Sequence, residues 1–104
     1  MAQFDVYENP NPETARVFPF LLNVQTDLLD SLPTRVVVPL VGKSMLNTGA
    51  VGLNPQFEIE GIKVFMLTAQ VAGVASHAFG TKVCSLKEYR SEIIAALDFL
   101  FVGW

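Results

Sequence analysis

Few side chains in this sequence have the chemistry of a catalytic or metal-binding site. His77 is the sole histidine and Cys84 the sole cysteine of the 104-residue chain. Neither has a cysteine or carboxylate nearby at ligand spacing, and a zinc site needs three or four ligands. An isolated histidine is usually a surface or half-buried residue, and a lone cysteine usually packs as a small hydrophobe. The sequence therefore predicts no metal ion and no cofactor.

Two further features could support catalysis, and both have simpler interpretations. Asp27 and Asp30 could form a carboxylate pair, but at the corner between a strand and a turn such residues usually hydrogen-bond local amides. Gly42-Lys43-Ser44 lacks the upstream glycine pattern of a phosphate-binding loop. We find no set of residues that resembles a hydrolytic triad. These observations predict that the protein is not an enzyme.

The composition is strongly apolar for a small domain. Hydrophobic residues make up 51% of the chain and charged residues 16%, against about 25% charged residues in an average globular domain. A chain of this length has a large surface relative to its volume and cannot easily bury so much apolar side chain in one copy. We therefore expect one domain spanning residues 1–104 that forms a homodimer through an apolar face.

The charge pattern and the termini limit the classes of partner. The net charge is −3 and the seven Lys and Arg residues form no basic run, so we expect no direct binding of nucleic acid. The N-terminus has no signal-peptide layout. The most apolar stretch, residues 93–104, is shorter than the roughly 20 residues that span a bilayer. A single cysteine excludes an internal disulfide and fits a reducing compartment, so we expect a cytoplasmic protein without membrane contact.

Alternation of polar and apolar residues predicts a mainly β domain. Glu60-Gly61 between two alternating runs predicts a tight β-hairpin, and Pro19 predicts an edge position or a bulge in its strand. The residues from Gly42 to Pro55 are expected to form a long loop. The predicted strands are residues 3–7, 16–24, 36–40, 57–59, 62–66 and 68–79.

Near the end of the chain, the spacing of the apolar residues becomes that of a helix. Ser85 and Glu88 have the spacing of a capping box, in which each side chain bonds the other's amide. Leu86, Ile93 and Leu97 then follow helical spacing, and Gly103 stands where helices often end. The economical architecture is α+β: a strongly bent antiparallel sheet with one C-terminal helix packed on it.

The last four residues are Phe101-Val102-Gly103-Trp104. Exposed apolar surface usually marks a contact site. The tail is therefore either buried in the protein's own core or held out for a partner. The apolar composition of the whole chain favours the partner.

Four segments, in order and spacing, together resemble the CcdB family of plasmid-addiction toxins. The resemblance covers essentially the whole chain, and the loop from Gly42 to Pro55 is the least similar part. Each piece alone is weak, but the motif from Val-Gln-x-Asp to Val-Pro-Leu is specific. The segments are residues 23–30, residues 34–40, residues 66–68 with 73–74, and the helical pattern of residues 86–103.

The family resemblance implies a fold and a function that spacing alone does not show. The fold would be an SH3-like, strongly bent antiparallel sheet, as in CcdB and MazF, with a small side sheet and a C-terminal helix. The homodimer would bind the A subunit of DNA gyrase and trap the cleaved-DNA complex. A CcdA-like antitoxin would neutralise the toxin, in part through residues 8–16, and the two proteins would together repress their operon.

The same resemblance assigns gyrase contacts to two regions of this chain. One region is the corner before the Val-Pro-Leu strand, with Leu28 and Leu29. The other is the chain end, with Asp98, Phe101, Val102, Gly103 and Trp104.

One position of the tail departs from the family pattern. A tryptophan that stacks on a gyrase arginine stands at the position of Val102 in the family, and valine offers no aromatic face for a cation–π contact. Trp104 occupies the last position, where isoleucine is usual. Trp104 either takes over the stacking, displaced by two residues, or packs on its own dimer partner with a lower affinity for gyrase.

The sequence leaves two other classes of function as alternatives. MazF/Kid-type endoribonuclease toxins share the fold, but an endoribonuclease needs a cationic pocket and a general acid and base. This chain has few cations and one histidine. The second alternative is a dimeric structural module without toxicity.

Overall fold

The computed structural model describes residues 1–42 and 52–103. Within these two ranges the chain forms seven strands and one α-helix. Short 3-10 helices cover Asp27–Leu29, Thr68–Gln70 and Lys87–Tyr89. The strands are β1 (Asp5–Glu8), β2 (Phe20–Asn23), β3 (Thr34–Gly42), β4 (Gln56–Ile59), β5 (Ile62–Met66), β6 (Ala72–Ala75) and β7 (Lys82–Ser85), and the helix is α1 (Arg90–Val102).

The strands build one strongly curled antiparallel sheet around β3. The strand order is β4-β5-β3-β2-β1-β7, and β6 also pairs with β3. Leu40 pairs with both β2 and β5, and Val37 pairs with both β2 and β6. β2 therefore runs along one edge of β3, while β5 and β6 share the other edge. This α+β, mainly β architecture confirms the fold class predicted from the sequence.

The hydrophobic core lies between the sheet and α1. Val6, Leu22 and Val38 are cross-strand neighbours and are fully buried. Ile93 and Ala96 of α1 belong to the same cluster. Burying one such aliphatic side chain contributes about 1.5–3 kcal/mol to stability, so this contact fixes the helix on the sheet. The buried cluster consists of Phe4, Val6, Phe20, Leu22, Val24, Val38, Leu40, Phe57, Ile59, Val64, Met66, Leu86, Ile93 and Ala96.

The opposite face of β1 is also covered, although its residues are polar. Asp5 and Tyr7 are both buried. The Phe79 ring packs at 5.2 Å from the Tyr7 ring, and the Lys82 ammonium lies 3.4 Å from the Asp5 carboxylate. Burial raises the pKa of the Tyr7 hydroxyl, and the neighbouring Asp5 carboxylate raises it further. The alternation at residues 3–7 thus distinguishes two faces of the strand but does not separate buried from exposed residues.

The predicted hairpin is confirmed at both strands. β4 and β5 pair around Glu60 and Gly61, whose φ angles are 51° and 79°. Positive φ at both central residues matches the right-handed twist of the flanking strands. The hairpin joins the main sheet through β5 and β3, so it is part of one continuous sheet and not a separate one.

Two predicted strands are too long. β2 begins at Phe20, not at residue 16, because the Thr14 carbonyl accepts from the amides of Val17 and Phe18 and closes a turn there. Pro19 therefore precedes an interior strand instead of lying in an edge strand or a bulge. The segment predicted as one strand at residues 68–79 divides into a 3-10 helix, β6 and a turn. Of the predicted loop from Gly42 to Pro55, residues 43–51 lie outside the described ranges.

The helix has the predicted end but a different start. Ser85 belongs to β7, a strand that the sequence did not predict, and its hydroxyl accepts from the amide of Lys87 at 3.2 Å. The predicted capping-box bond to the Glu88 amide is therefore wrong. A 3-10 turn at Lys87–Tyr89 leads into α1. Gly103, with a φ of 86°, caps the far end as predicted.

The backbone of Gly80 lies close to the backbone of Glu8. The Gly80 amide donates to the Glu8 carbonyl at 3.0 Å, and a Cβ at Gly80 would lie 2.7 Å from that oxygen. We expect Gly80→Ala to lower the free energy of unfolding by about 1–3 kcal/mol, measured by urea denaturation. Gly73→Ala is the control, because a Cβ there meets nothing within 4 Å. Equal stability of the two variants would contradict the close approach.

Candidate functional site

The end of α1 presents apolar side chains to the surface. Ile93 and Ala96 point into the core, so the residues on the other side of the helix face outward. Phe101 is 70% exposed and Val102 is 54% exposed. Asp98 is exposed as well and shares their face, since it precedes them by three and four positions. We call Asp98, Phe101, Val102 and Gly103 the tail patch.

Gly103 ends the helix in the left-handed conformation that glycine favours. Its amide donates to the carbonyls of Asp98 and Phe99, at 3.3 and 3.1 Å. The bond to Phe99 satisfies one of the last carbonyls of the helix, which have no partner within it. The cap therefore fixes the direction in which the chain leaves α1. Trp104, the last predicted contact, lies outside the described residues.

The other predicted region is a short 3-10 helix between β2 and β3. The Thr26 hydroxyl caps its start by accepting from the amide of Leu28 at 3.3 Å. Leu28 is 91% exposed and Leu29 is 47% exposed. We call Leu28 and Leu29 the corner patch. A leucine with so little contact to its own chain contributes little to folding, so its exposure suits a role in binding.

Within one chain the two patches lie apart. The Arg90 guanidinium donates to the Gln3 side chain at 3.3 Å, and the Gln3 amide donates to the Asp27 carboxylate at 2.8 Å. The corner patch is therefore next to the N-terminal end of α1. Phe101 lies at the other end, about 16 Å further at about 1.5 Å per residue. The structure confirms that both patches are exposed but does not bring them together in a single copy.

The residues considered for catalysis have ordinary surroundings. Asp27 accepts from the Gln3 amide, 24 positions away in the chain, and Asp30 pairs with the Arg35 guanidinium at 2.7 Å. Each carboxylate has its own partner, but these partners are not the local amides that the sequence predicted. His77 is exposed in the turn after β6. Within the described ranges, no three His, Cys, Asp or Glu side chains are grouped to hold a metal ion. Of Gly42-Lys43-Ser44, Lys43 and Ser44 lie outside those ranges.

Cys84 lies in β7 and is half-buried. Burial raises the pKa of its thiol, with smaller contributions from the Glu60 and Asp5 carboxylates. A raised thiol pKa lowers the fraction of reactive thiolate. Cys84 packs against the hydrophobic core as a small side chain, as predicted.

Two buried polar residues beside the corner patch were not singled out from the sequence. Gln25 and Arg35 are 8% and 6% exposed, and both side chains bond the backbone of the corner. The available signal was weak: Arg35 is a charge directly before the β-branched run Val36–Val38. A charged residue in such a position is either solvated or held by partners, and only the fold distinguishes these cases.

No helix in the described part of the chain is both long enough and apolar enough to cross a membrane. A family model described as CcdB protein matches residues 3–103. The match includes every residue of both patches, and Trp104 is the one predicted contact that lies beyond it. The chain therefore belongs to the CcdB family, whose members are the toxins of toxin–antitoxin systems.

Proposed function

We propose that this protein poisons DNA gyrase. It binds the A subunit of gyrase through the corner patch and the tail patch, and it traps the complex in which the DNA is cleaved. The observation that carries this proposal is the exposure of Leu28 and Phe101, at 91% and 70%, in positions to which the family resemblance assigns gyrase contacts. Large apolar side chains at the centre of an interface contribute most of its binding energy.

The proposed toxin acts as a homodimer. In one chain the two patches are at opposite ends of α1, so a single copy offers gyrase two small separate contacts. A second copy related by a two-fold axis places two tail patches side by side and makes one larger apolar surface. The strongly apolar composition supports this arrangement, because a shared face covers apolar area that one copy leaves exposed.

The proposed toxin is not an enzyme. It acts by contact, in the bacterial cytoplasm where gyrase acts on DNA. Its net charge of −3 supports an indirect relation to DNA, in which gyrase supplies the DNA contacts. In the complex that represses the operon, the antitoxin supplies them.

The antitoxin would bind at a different place. The resemblance assigns this contact to residues 8–16, and an open groove of about 380 Å³ lies beside them. Its lining includes the polar residues Asn9, Asn11 and Thr14 and the apolar residues Leu21 and Val74. A groove lined by both kinds of residue suits a peptide segment that folds on binding. This supports a CcdA-like partner that binds away from the tail patch.

A DNA-cleavage assay with purified gyrase tests the proposal directly. We expect linear plasmid DNA to accumulate only when gyrase and this protein are both present. The same protein preparation is incubated with RNA alone. RNA cleavage without gyrase would contradict the proposal and support the endoribonuclease alternative. Neither product, from a protein shown to be folded, would favour the structural module.

A further inference from the structure

The corner patch has little packing of its own, so its position depends on its backbone. The 3-10 helix Asp27–Leu29 ends with carbonyls that have few partners within the helix. The Leu29 carbonyl accepts from the amide of Leu32 at 3.1 Å. It also accepts from two side chains, Gln25 Nε2 at 2.9 Å and Arg35 Nη1 at 3.3 Å. Two side chains thus converge on one backbone atom directly behind the exposed leucines.

Arg35 holds the corner at more than one atom. Its Nη2 donates to the backbone carbonyl and to the carboxylate of Asp30, both at 2.7 Å. A buried guanidinium needs partners for its donors. Here Nη1 and Nη2 find them, mainly at carbonyls of the corner, while the buried Nε has no hydrogen-bond partner among the described residues. The planar fork of arginine reaches neighbouring acceptors together, which the single ammonium of lysine does not.

Gln25 connects the same corner to the sheet. Its Nε2 donates to the Leu29 carbonyl, and its Oε1 accepts from the amide of Val36 at 3.1 Å. Gln25 follows β2, while Val36 and Arg35 belong to β3. The corner is therefore tied to two neighbouring strands of the rigid sheet through side chains that are themselves buried.

We propose that Arg35 and Gln25 are positioning residues that hold Leu28 and Leu29 ready for gyrase. The inference rests on the proposed function. A binding surface that is ordered before contact loses less conformational entropy on association, and its affinity is higher. Neither residue needs to touch gyrase for this effect. Their bonds to the Leu29 and Asp30 carbonyls transmit the rigidity of β2 and β3 to the exposed leucines.

The first test uses the free protein and needs no gyrase. Arg35→Lys and Gln25→Met each remove bonds to the Leu29 carbonyl at little cost in volume. We expect the NMR order parameters of the Leu28 and Leu29 amides to fall from about 0.85 toward 0.6. Gln25→Met decides the question if Arg35→Lys does not fold. The control is Thr68→Val, which removes the bond of a fully buried hydroxyl to the Leu53 carbonyl and leaves the corner intact.

The second test separates positioning from general stability. Affinity for gyrase A is measured for each variant with and without Leu28→Ala. We expect the positioning variants to bind about tenfold more weakly, and Leu28→Ala to lose most of its effect in their background. In the Thr68→Val background, Leu28→Ala should lower the affinity for gyrase A as much as it does in the wild type. If Arg35 and Gln25 only stabilised the fold, Leu28→Ala would lower the affinity by the same factor in all three variants.

The outcomes distinguish this inference from the proposed function. Unchanged order parameters at Leu28 and Leu29, or wild-type affinity in both positioning variants, would overturn the inference. A wild-type protein that does not bind gyrase A would instead contradict the proposed function and the role in gyrase binding assigned to Arg35 and Gln25. The order parameters would then still decide whether these two residues hold the corner.

Discussion

A Phe101→Ala variant is expected to remain folded and to lose toxicity. Phe101 is 70% exposed, so its truncation should change the free energy of unfolding by no more than about 0.5 kcal/mol. As a central aromatic anchor, the same ring should be worth about 2–4 kcal/mol in binding, which is roughly 30- to 1000-fold in affinity. Titration of gyrase A with the variant, beside a thermal melt, measures both quantities.

The control for Phe101→Ala is Ile62→Ala. Ile62 is 47% exposed on β5, and it belongs to neither patch. It should keep both stability and affinity for gyrase. Size-exclusion chromatography then shows whether Phe101→Ala remains the same oligomer as the wild type. Full toxicity of a folded Phe101→Ala variant would remove the tail patch from the proposed interface.

Replacing Leu28 with aspartate should abolish gyrase binding through the other patch. Leu28 is 91% exposed and caps no element with its side chain, so Leu28→Asp should fold with near wild-type stability. In the bound state, however, it buries a charge where a leucine was accommodated, and an unpaired buried charge is strongly unfavourable. We expect a loss of at least about 100-fold in affinity, measured by surface plasmon resonance with immobilised gyrase A.

The matched variant is Ile62→Asp, the same chemical change at an exposed position outside both patches. It should bind gyrase A as the wild type does. If Ile62→Asp weakened binding as much as Leu28→Asp, the loss would reflect added negative charge and would speak against a specific contact at the corner.

Local sequence signals predicted the elements whose geometry is decided locally. The β4–β5 hairpin follows from Glu60-Gly61, because a two-residue turn with glycine second needs only its own backbone conformation. The helix end follows from Gly103 for the same reason. By contrast, β7 was not predicted, because Lys82–Ser85 becomes a strand through pairing with β1, far away in the chain. The start of β2 depends on the turn that Thr14 closes.

The residues of the candidate site also differ in whether the sequence alone could identify them. The exposed leucines and the apolar tail were identified through the family resemblance, and the structure confirms that Leu28 and Phe101 face solvent. Trp104 stays a prediction. Its two alternatives also stay open: stacking in place of the tryptophan missing at Val102, or packing on its own dimer partner. Gln25 and Arg35 were not recognised as important, because their burial and their shared acceptor arise only when the ends of β2 and β3 come together.

The separation of the two patches along α1 has an evolutionary consequence. The bonds from Gln25 and Arg35 support one patch and the Gly103 cap supports the other, and distant sites without shared partners contribute additively. A substitution at one end therefore leaves the opposite end undisturbed. If both ends contact gyrase, the toxin can follow sequence drift in its host's topoisomerase at one end without disturbing the contacts of the other.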